Sequence, residues 1–565
     1  MIKLVLYSLI FIILILSCSK IEKQELYYKI ITPKTDWTYY SDSQITFSTN
    51  LNSNDIHWYS NKDGYLGSGN SFTLNLTPGV HNIKAKLQSY EQNVLIYVNG
   101  RKIQNGQTLK YRISSDRSIF LPIGVFNFSF VALDGSVSQL SQIKKDNNIE
   151  LKKDIHISTS TNPKNTIQQT KRNLTTQKYR MNEEKKLYVV NTKQPNLTPH
   201  EILAKVIKTS ENCNIWYPVN PEQYSVPKID TNDLNYCIAE IEKRIIPRLR
   251  ILWGDLPDID KDGKISIFFT PTINEEQTAI GFFNPEDFYK RDEFTPFSNE
   301  MDILYIAVPE QNKFSYSINC INATITHELT HAINYYIKTY SQILQNKSSI
   351  PTEETFLDEA LSHLSESLCG YGISGGNVEI LSFYLNNLGK YSAFKKDYLG
   401  NEDSNGRRGA TSMFLSWLFW KKGGINWDIN DPLTIIDKGG IQFIQQLVRS
   451  PECGWENIGK VYGENTDTLY IQMVEELNAS RENVKPSVLD PYSNEPVQIF
   501  PDFQTYSIDN YEKKWTLSIP SVEFSDFESL IPYSFVLFNP YNNESTFALD
   551  NSKITGQTLG LFCLQ

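Results

Sequence analysis

With 565 residues, 40% of them hydrophobic and 21% charged, the chain has the length and apolar content of a large globular protein with several domains. Its formal net charge of −10 argues against nucleic acid or an anionic membrane surface as the main partner.

In chain order, residues 1–17 read as a targeting segment. Lys3 supplies the charged start, and an apolar run from Leu4 to Leu16 has the length of a signal peptide. The run ends Ile15-Leu-Ser-Cys18, which resembles a bacterial lipobox, so Cys18 is expected to carry the lipid and residues 18–28 to form a tether. An ordinary cleaved signal and an uncleaved anchor are the alternatives, although the run is short of the roughly 20 residues a membrane span needs. The expected location is the bacterial cell envelope, lipid-anchored at the outer membrane or cell surface.

Residues 29–90 alternate in the manner of short strands: Gln44-Ile-Thr-Phe-Ser-Thr49, Ile56-His-Trp-Tyr59, Ser71-Phe-Thr-Leu-Asn-Leu76 and His81-Asn-Ile-Lys-Ala-Lys-Leu87. Turn residues separate them at 61–64 and 77–79. The run from Ile56 to Gly69, followed by Leu76-Thr-Pro-Gly-Val-His-Asn-Ile83, resembles bacterial immunoglobulin-like surface domains, with Trp58 as the core anchor. His57 and His81 read as strand residues rather than ligands. A second small β unit is expected over 91–135. Across 136–182 polar residues dominate and large apolar ones are few, so this segment reads as a linker.

The stretch 183–485 reads as one α+β unit. It opens with a strand at 186–190, and a helix follows over 231–252, with Pro247 as a possible kink. Then comes Asp258-Ile-Asp-Lys-Asp-Gly263, whose alternating acids and closing Gly match the opening of an EF-hand calcium loop. Position 12 of that pattern is Phe269, so a full EF-hand is rejected; Ca2+ on Asp258, Asp260 and Asp262 and a plain acidic turn into a strand remain as the two readings. Ile303-Leu-Tyr-Ile-Ala-Val308 reads as a sheet strand near a cleft.

The stretch with the most chemistry is His327-Glu-Leu-Thr-His331. Apolar residues recur every three or four positions from Ile321 to Ala332, without Gly or Pro, which predicts a buried helix. Residues i and i+4 share a helix face, so His327 and His331 can point two imidazole nitrogens at one Zn2+, while Glu328 reaches a water. The longer metzincin motif fails, because 334 is Asn and 337 is Ile. A second helix runs from Pro351 to Cys369 with an apolar stripe. Glu359 lies within that stripe, where a carboxylate needs a partner, and it is taken as the third ligand. His363 and Glu366 are its rivals. Asp358 is placed to orient a histidine ring, and His363 is read as a supporting or proton-donating group, with Tyr391 and Tyr398 as further candidate donors. Helices are expected over 408–421 and 440–448, and a small β domain over 486–565. The six cysteines after Cys18 are scattered without CxxC, which argues against a cysteine zinc site.

Three blocks carry a resemblance to the hyicolysin-like zinc metallopeptidases of the Glu-zincin group. They are His327-Glu-Leu-Thr-His331; Phe356-Leu-Asp-Glu-Ala-Leu-Ser-His-Leu-Ser-Glu366 with Gly370-Tyr-Gly372; and an upstream set at 256–267, 281–287 and 299–305. The likeness covers 183–480, and where that family commonly has Glu-Gly this chain has Glu359-Ala360. It implies a zinc-dependent endopeptidase acting on proteins. The expected architecture is multidomain: a zincin-like α+β metallopeptidase domain, preceded by small all-β immunoglobulin-like units and followed by a small β domain. Two other readings are a surface adhesion lipoprotein with a catalytically silent zincin fold, and a metallohydrolase of non-protein substrates. The intact Glu328 separates the first of these from an enzyme.

Overall fold

The computed structural model describes residues 28–99 (apart from 36, 42 and 78), 178–480 (apart from 195–197 and 348) and 488–497, together with the strands named below between 102 and 138 and between 505 and 564. Residues 1–17, Cys18 and the tether up to 27 lie outside the described residues, as do 139–177 of the expected linker. The chain forms two compact units, Met1–Val98 and Asn99–Gln565, one all-β and one of helices and strands.

In the first unit, alternation builds two antiparallel sheets. Strands Ile30–Thr32, Ile45–Thr49 and Ser71–Leu74 make one. The other holds Trp37–Tyr40, Tyr90–Asn99, Gly79–Leu87, His57–Ser60 and Gly64–Ser68, in that order across the sheet. Every second residue of Gly79–Leu87 is buried, the period-two signature of a strand with one face on a core. That core centres on Trp58, which is fully buried and meets Phe47 edge-on with ring centroids 5.6 Å apart. The Trp58 indole N–H donates to the Gly69 carbonyl at 3.0 Å, so its polar edge is satisfied. The sequence reading closed this unit at 90. Strand Tyr90–Asn99 instead pairs along the whole of Gly79–Leu87, which would otherwise be left as an unpaired edge.

The second unit is built on a six-stranded sheet in the order Glu184–Val189, His200–Thr209, Cys213–Pro218, Ile265–Phe269, Ile303–Ile306, Gly281–Phe283. The middle three run parallel and are buried along their whole length, which is why they read as continuous apolar runs. Gly281–Phe283 returns antiparallel along Ile303–Ile306 and forms the edge. The edge nearest the histidine helix is therefore 281–283; the stretch at 303–308, taken from sequence as the strand by the cleft, lies one strand further in. The helix expected over 231–252 is Thr231–Glu240 and Ile246–Trp253 joined by a π turn, Ile241–Ile245. Pro247 lacks an N–H and its ring crowds the carbonyl four residues back, so the helix widens just ahead of it rather than breaking. The expected helices at 408–421 and 440–448 are Asn405–Lys421 and Gly440–Arg449.

Strands expected to close separately, in 91–135 and 486–565, pair with each other. Phe126–Ala132 lies between Ser534–Phe538 and Thr558–Leu564, Lys102–Ile103 adds to the far side of the last, and Thr108–Arg112 pairs with Thr546–Asp550. Pairing across the chain gives the edges of these strands partners. No helix among the described residues is long and apolar enough to cross a membrane.

The edge strand sits tightly on the helix below it. A Cβ at Gly281 would lie 2.6 Å from Thr324 Cγ2 and 2.9 Å from Ile306 Cδ1. Gly281→Ala is expected to cost about 1–3 kcal/mol by overpacking, read as a lowered calorimetric midpoint for the second unit. An unshifted midpoint would show that the strand can move away freely.

Candidate active site

The histidine helix, Ile318–Tyr335, starts at Ser317, whose side chain accepts from the Cys320 N–H. From Cys320 to Asn334 every residue is buried. A helix covered on all sides has to satisfy its polar side chains internally, and Thr324, Thr326 and Thr330 do so by donating to carbonyls four residues back at 2.8–2.9 Å. His327 and His331 stand one turn apart with ring centroids at 4.7 Å. The glutamate helix, Thr355–Leu368, is also buried, from Phe356 onward. Glu353 precedes it, and its acid does more than suit a helix start: Oε2 pairs with the buried Lys338 Nζ at 2.6 Å and Oε1 accepts from the Gly454 N–H at 2.7 Å.

These two helices bring His327, His331 and Glu359 together. His327 Nε2 lies 3.3 Å from Glu359 Oε2, and His331 Nε2 lies 3.8 Å from Glu359 Oε1. Ligands on a tetrahedral zinc, each about 2.0–2.2 Å from the ion, stand roughly 3.3–3.6 Å from one another. One separation falls in that range and the other slightly above it, and two imidazole nitrogens with one carboxylate are the donor set of a catalytic zinc's three protein ligands.

The remaining ring nitrogens are fixed by carboxylates. His327 Nδ1 meets Glu366 Oε1 at 2.5 Å, and His331 Nδ1 meets Asp358 Oδ2 at 2.8 Å. Asn334 donates to the other oxygen of Asp358. Each Nδ1–H donated to a carboxylate leaves Nε2 as the lone pair facing Glu359. Asp358, read from sequence as a group that could orient a histidine ring, lies against the His331 ring. Glu366, read from sequence only as a rival ligand, is the matching support for the other histidine. His363 donates from Nδ1 to Asn377 Oδ1 at 2.8 Å and lies 3.3 Å from Glu366 Oε1. It shares a second potential ligand group with His327 and Glu366, not the one around Glu359. Burial, His327 and Arg408 hold the His363 pKa well below the usual imidazole value.

Glu328 is buried one residue from His327, and its Oε2 accepts the Phe283 backbone N–H of the edge strand at 2.9 Å. Burial disfavours charge on His331, but Asp358, Glu359 and Glu328 outweigh it and push its pKa up to about 10. Four buried carboxylates thus share this pocket, an excess of negative charge that suits a cation.

Sequence reading missed Arg408. It sits on the buried helix Asn405–Lys421, where its Nη1 lies 3.0 Å from Glu359 Oε2. Asp403 grips it with two bonds of 2.8 Å, to Nε and Nη2. The available signal was the Arg407-Arg408 pair at the head of a helix that is apolar thereafter, since a buried guanidinium needs acids. Tyr391 and Tyr398 pack edge-on against each other, ring centroids 5.9 Å apart. The carboxylates of Asp258, Asp260 and Asp262 form a separate cluster within 4.8 Å of one another. Cys213, Cys237, Cys320, Cys369 and Cys453 are free thiols.

No family model matches this chain. It is 26% identical over 172 residues to the neutral metalloprotease ShpI of Staphylococcus hyicus, a match that covers 29% of this chain and 36% of that protein. The matched part spans about a third of the relative's length, and it relates the chain at a distance to a metalloprotease. Among solved structures, the fibronectin(III)-like modules of Clostridium thermocellum CbhA are 17% identical, covering 13% of this chain and 94% of that one with a TM-score of 0.12.

If Glu366 fixes the His327 ring, Glu366→Gln is expected to weaken zinc binding by about 10- to 100-fold, with the circular-dichroism spectrum unchanged. Competition against a zinc-binding dye measures this, and wild-type affinity in the variant would contradict the role given to Glu366.

Proposed function

We propose that this chain is a zinc-dependent endopeptidase that hydrolyses protein or peptide substrates, with a zincin-like catalytic unit. The observation that carries the reading is the convergence of His327, His331 and Glu359 beside a Glu328 held by the substrate-side strand. Bound there, zinc would supply Lewis acidity, polarising the scissile carbonyl and lowering the pKa of a water towards about 7.

The chain's own groups do the rest. Glu328 accepts the proton of the attacking water and passes it to the nitrogen of the leaving amine. The Phe283 N–H helps fix the orientation of that carboxylate by bonding Oε2. Strand Gly281–Phe283 is a sheet edge, and such an edge can take an extended peptide as an added strand through backbone hydrogen bonds. Asp358 and Glu366 keep both imidazoles in the tautomer that presents Nε2. Arg408 Nη1, 3.0 Å from Glu359 Oε2, gives that buried carboxylate a cationic partner.

The proposed location is the bacterial cell envelope: the apolar segment before Cys18 supports export, and Cys18 supports attachment to the envelope through a lipid, with the polar stretch after 138 as spacer.

The test is Glu328→Gln in the full-length chain. It is expected to retain zinc and lower the kcat for casein or peptide cleavage by about 10²- to 10⁴-fold, while a chelator abolishes cleavage by the wild type. Turnover at the wild-type rate in the variant would refute the assignment of Glu328 as base.

A further inference from the structure

The acidic loop is not used by the proposed reaction. It runs from the end of helix Ile246–Trp253 into strand Ile265–Phe269. Its carboxylates partly bond its own backbone: Asp258 Oδ1 accepts from Gly263 N–H at 3.2 Å, Asp260 Oδ1 from Asp262 N–H at 3.3 Å, and Asp262 Oδ1 from Lys264 N–H at 2.7 Å. Asn214 donates to Asp262 Oδ2 at 2.7 Å. Such bonds alone describe a turn.

A fourth acid comes from outside the loop. Asp302 lies just ahead of strand Ile303–Ile306, and only 1% of it is exposed. Its Oδ1 accepts the Ile259 N–H at 2.9 Å, which brings the carboxylate to the backbone between Asp258 and Asp260. Its Oδ2 is buried and has no hydrogen-bond partner. Leaving a buried carboxylate oxygen without a partner is costly unless a cation meets it. After burial, the groups that act most on Asp302 include Asp260 and Asp262, so its charge faces theirs.

The nearby lysines attract these carboxylates but direct their hydrogen bonds elsewhere. Lys185 and Asp260 attract each other, yet the Lys185 Nζ bonds the Tyr179 hydroxyl at 3.3 Å and the Asn299 carbonyl at 3.0 Å. Lys264 Nζ bonds Thr209 Oγ1 and the Ser210 carbonyl. Lys261 Nζ bonds the Asp258 carbonyl at 2.6 Å, not its carboxylate.

We propose that Asp258, Asp260, Asp262 and Asp302 form a second cation site, an all-oxygen site for calcium that is distinct from the histidine site. Hard oxygen donors without nitrogen or sulfur disfavour zinc, and a loop of several carboxylates suits the larger, less demanding Ca2+ better than Mg2+. The site ties together two neighbouring parallel strands at their starts, where Ser266 N–H already bonds the Asp302 carbonyl at 2.9 Å. The next strand over is Gly281–Phe283, which holds Glu328. Calcium here is structural: it fastens the sheet on which the candidate base depends.

The experiment is calorimetric titration of zinc-loaded, full-length protein with calcium chloride, after treatment with a calcium-selective chelator and desalting. Wild type is expected to take up calcium at one site and to melt at a higher temperature with calcium than with magnesium. Asp302→Asn is expected to weaken calcium binding roughly tenfold or more while its zinc content stays at the wild-type level. Absence of calcium uptake by the wild type, or wild-type calcium affinity in Asp302→Asn, overturns the proposal. Should Asp302→Asn fail to fold, Asp258→Asn at the half-buried end of the loop decides: weaker calcium binding supports the site, and unchanged binding overturns it.

Discussion

Two imidazoles and a carboxylate from adjacent buried helices face one another, and much of the second unit is arranged to make that burial tolerable. Isolated ionised groups are strongly disfavoured in an apolar interior. Here each is given a partner: Glu366 for His327, Asp358 for His331, Arg408 for Glu359, and a backbone N–H for Glu328. The partners come from two helices and a sheet edge and meet groups on the histidine helix, so the site exists only when those elements are packed together. Close approach is part of this. Gly281 admits the edge strand onto the histidine helix, and a side chain at Gly375 would collide with the Glu366 carboxylate.

What the sequence made legible was local. The four-residue spacing of the histidines in His327-Glu-Leu-Thr-His331 needs only helix geometry to put two rings on one face, and the structure has that helix. The alternation in 71–87 needs only the strand period to bury every second residue around Trp58. Glu359 could be singled out because an acid inside an apolar stripe has to be answered by something.

What was not legible depended on contacts far apart in the chain. Glu366 lies one turn beyond His363, and nothing local says that it, rather than His363, bonds His327; the crossing of two helices decides that. Arg408 lies 49 positions after Glu359 in a chain that folds through a further helix on the way, so its role follows from packing alone. The edge position of Gly281–Phe283 follows from a strand that returns antiparallel beside Ile303–Ile306, although its sequence is as apolar as that of an inner strand. The pairing of Phe126–Ala132 with Thr558–Leu564 spans most of the chain; Phe126-Asn-Phe-Ser-Phe130 alternates as a strand does, but nothing in that alternation names its partner. The acidic loop shows both sides: three aspartates are readable from their spacing, whereas Asp302 is brought to them only by the register of two parallel strands.

The central claim is that His327, His331 and Glu359 hold one zinc ion. Zinc K-edge X-ray absorption on the zinc-loaded full-length protein tests it most directly. The expected spectrum has two imidazoles and otherwise oxygen ligands, with first-shell distances of about 2.0–2.2 Å. A third imidazole, which would bring His363 onto the metal, or a sulfur shell at about 2.3 Å, would contradict the account.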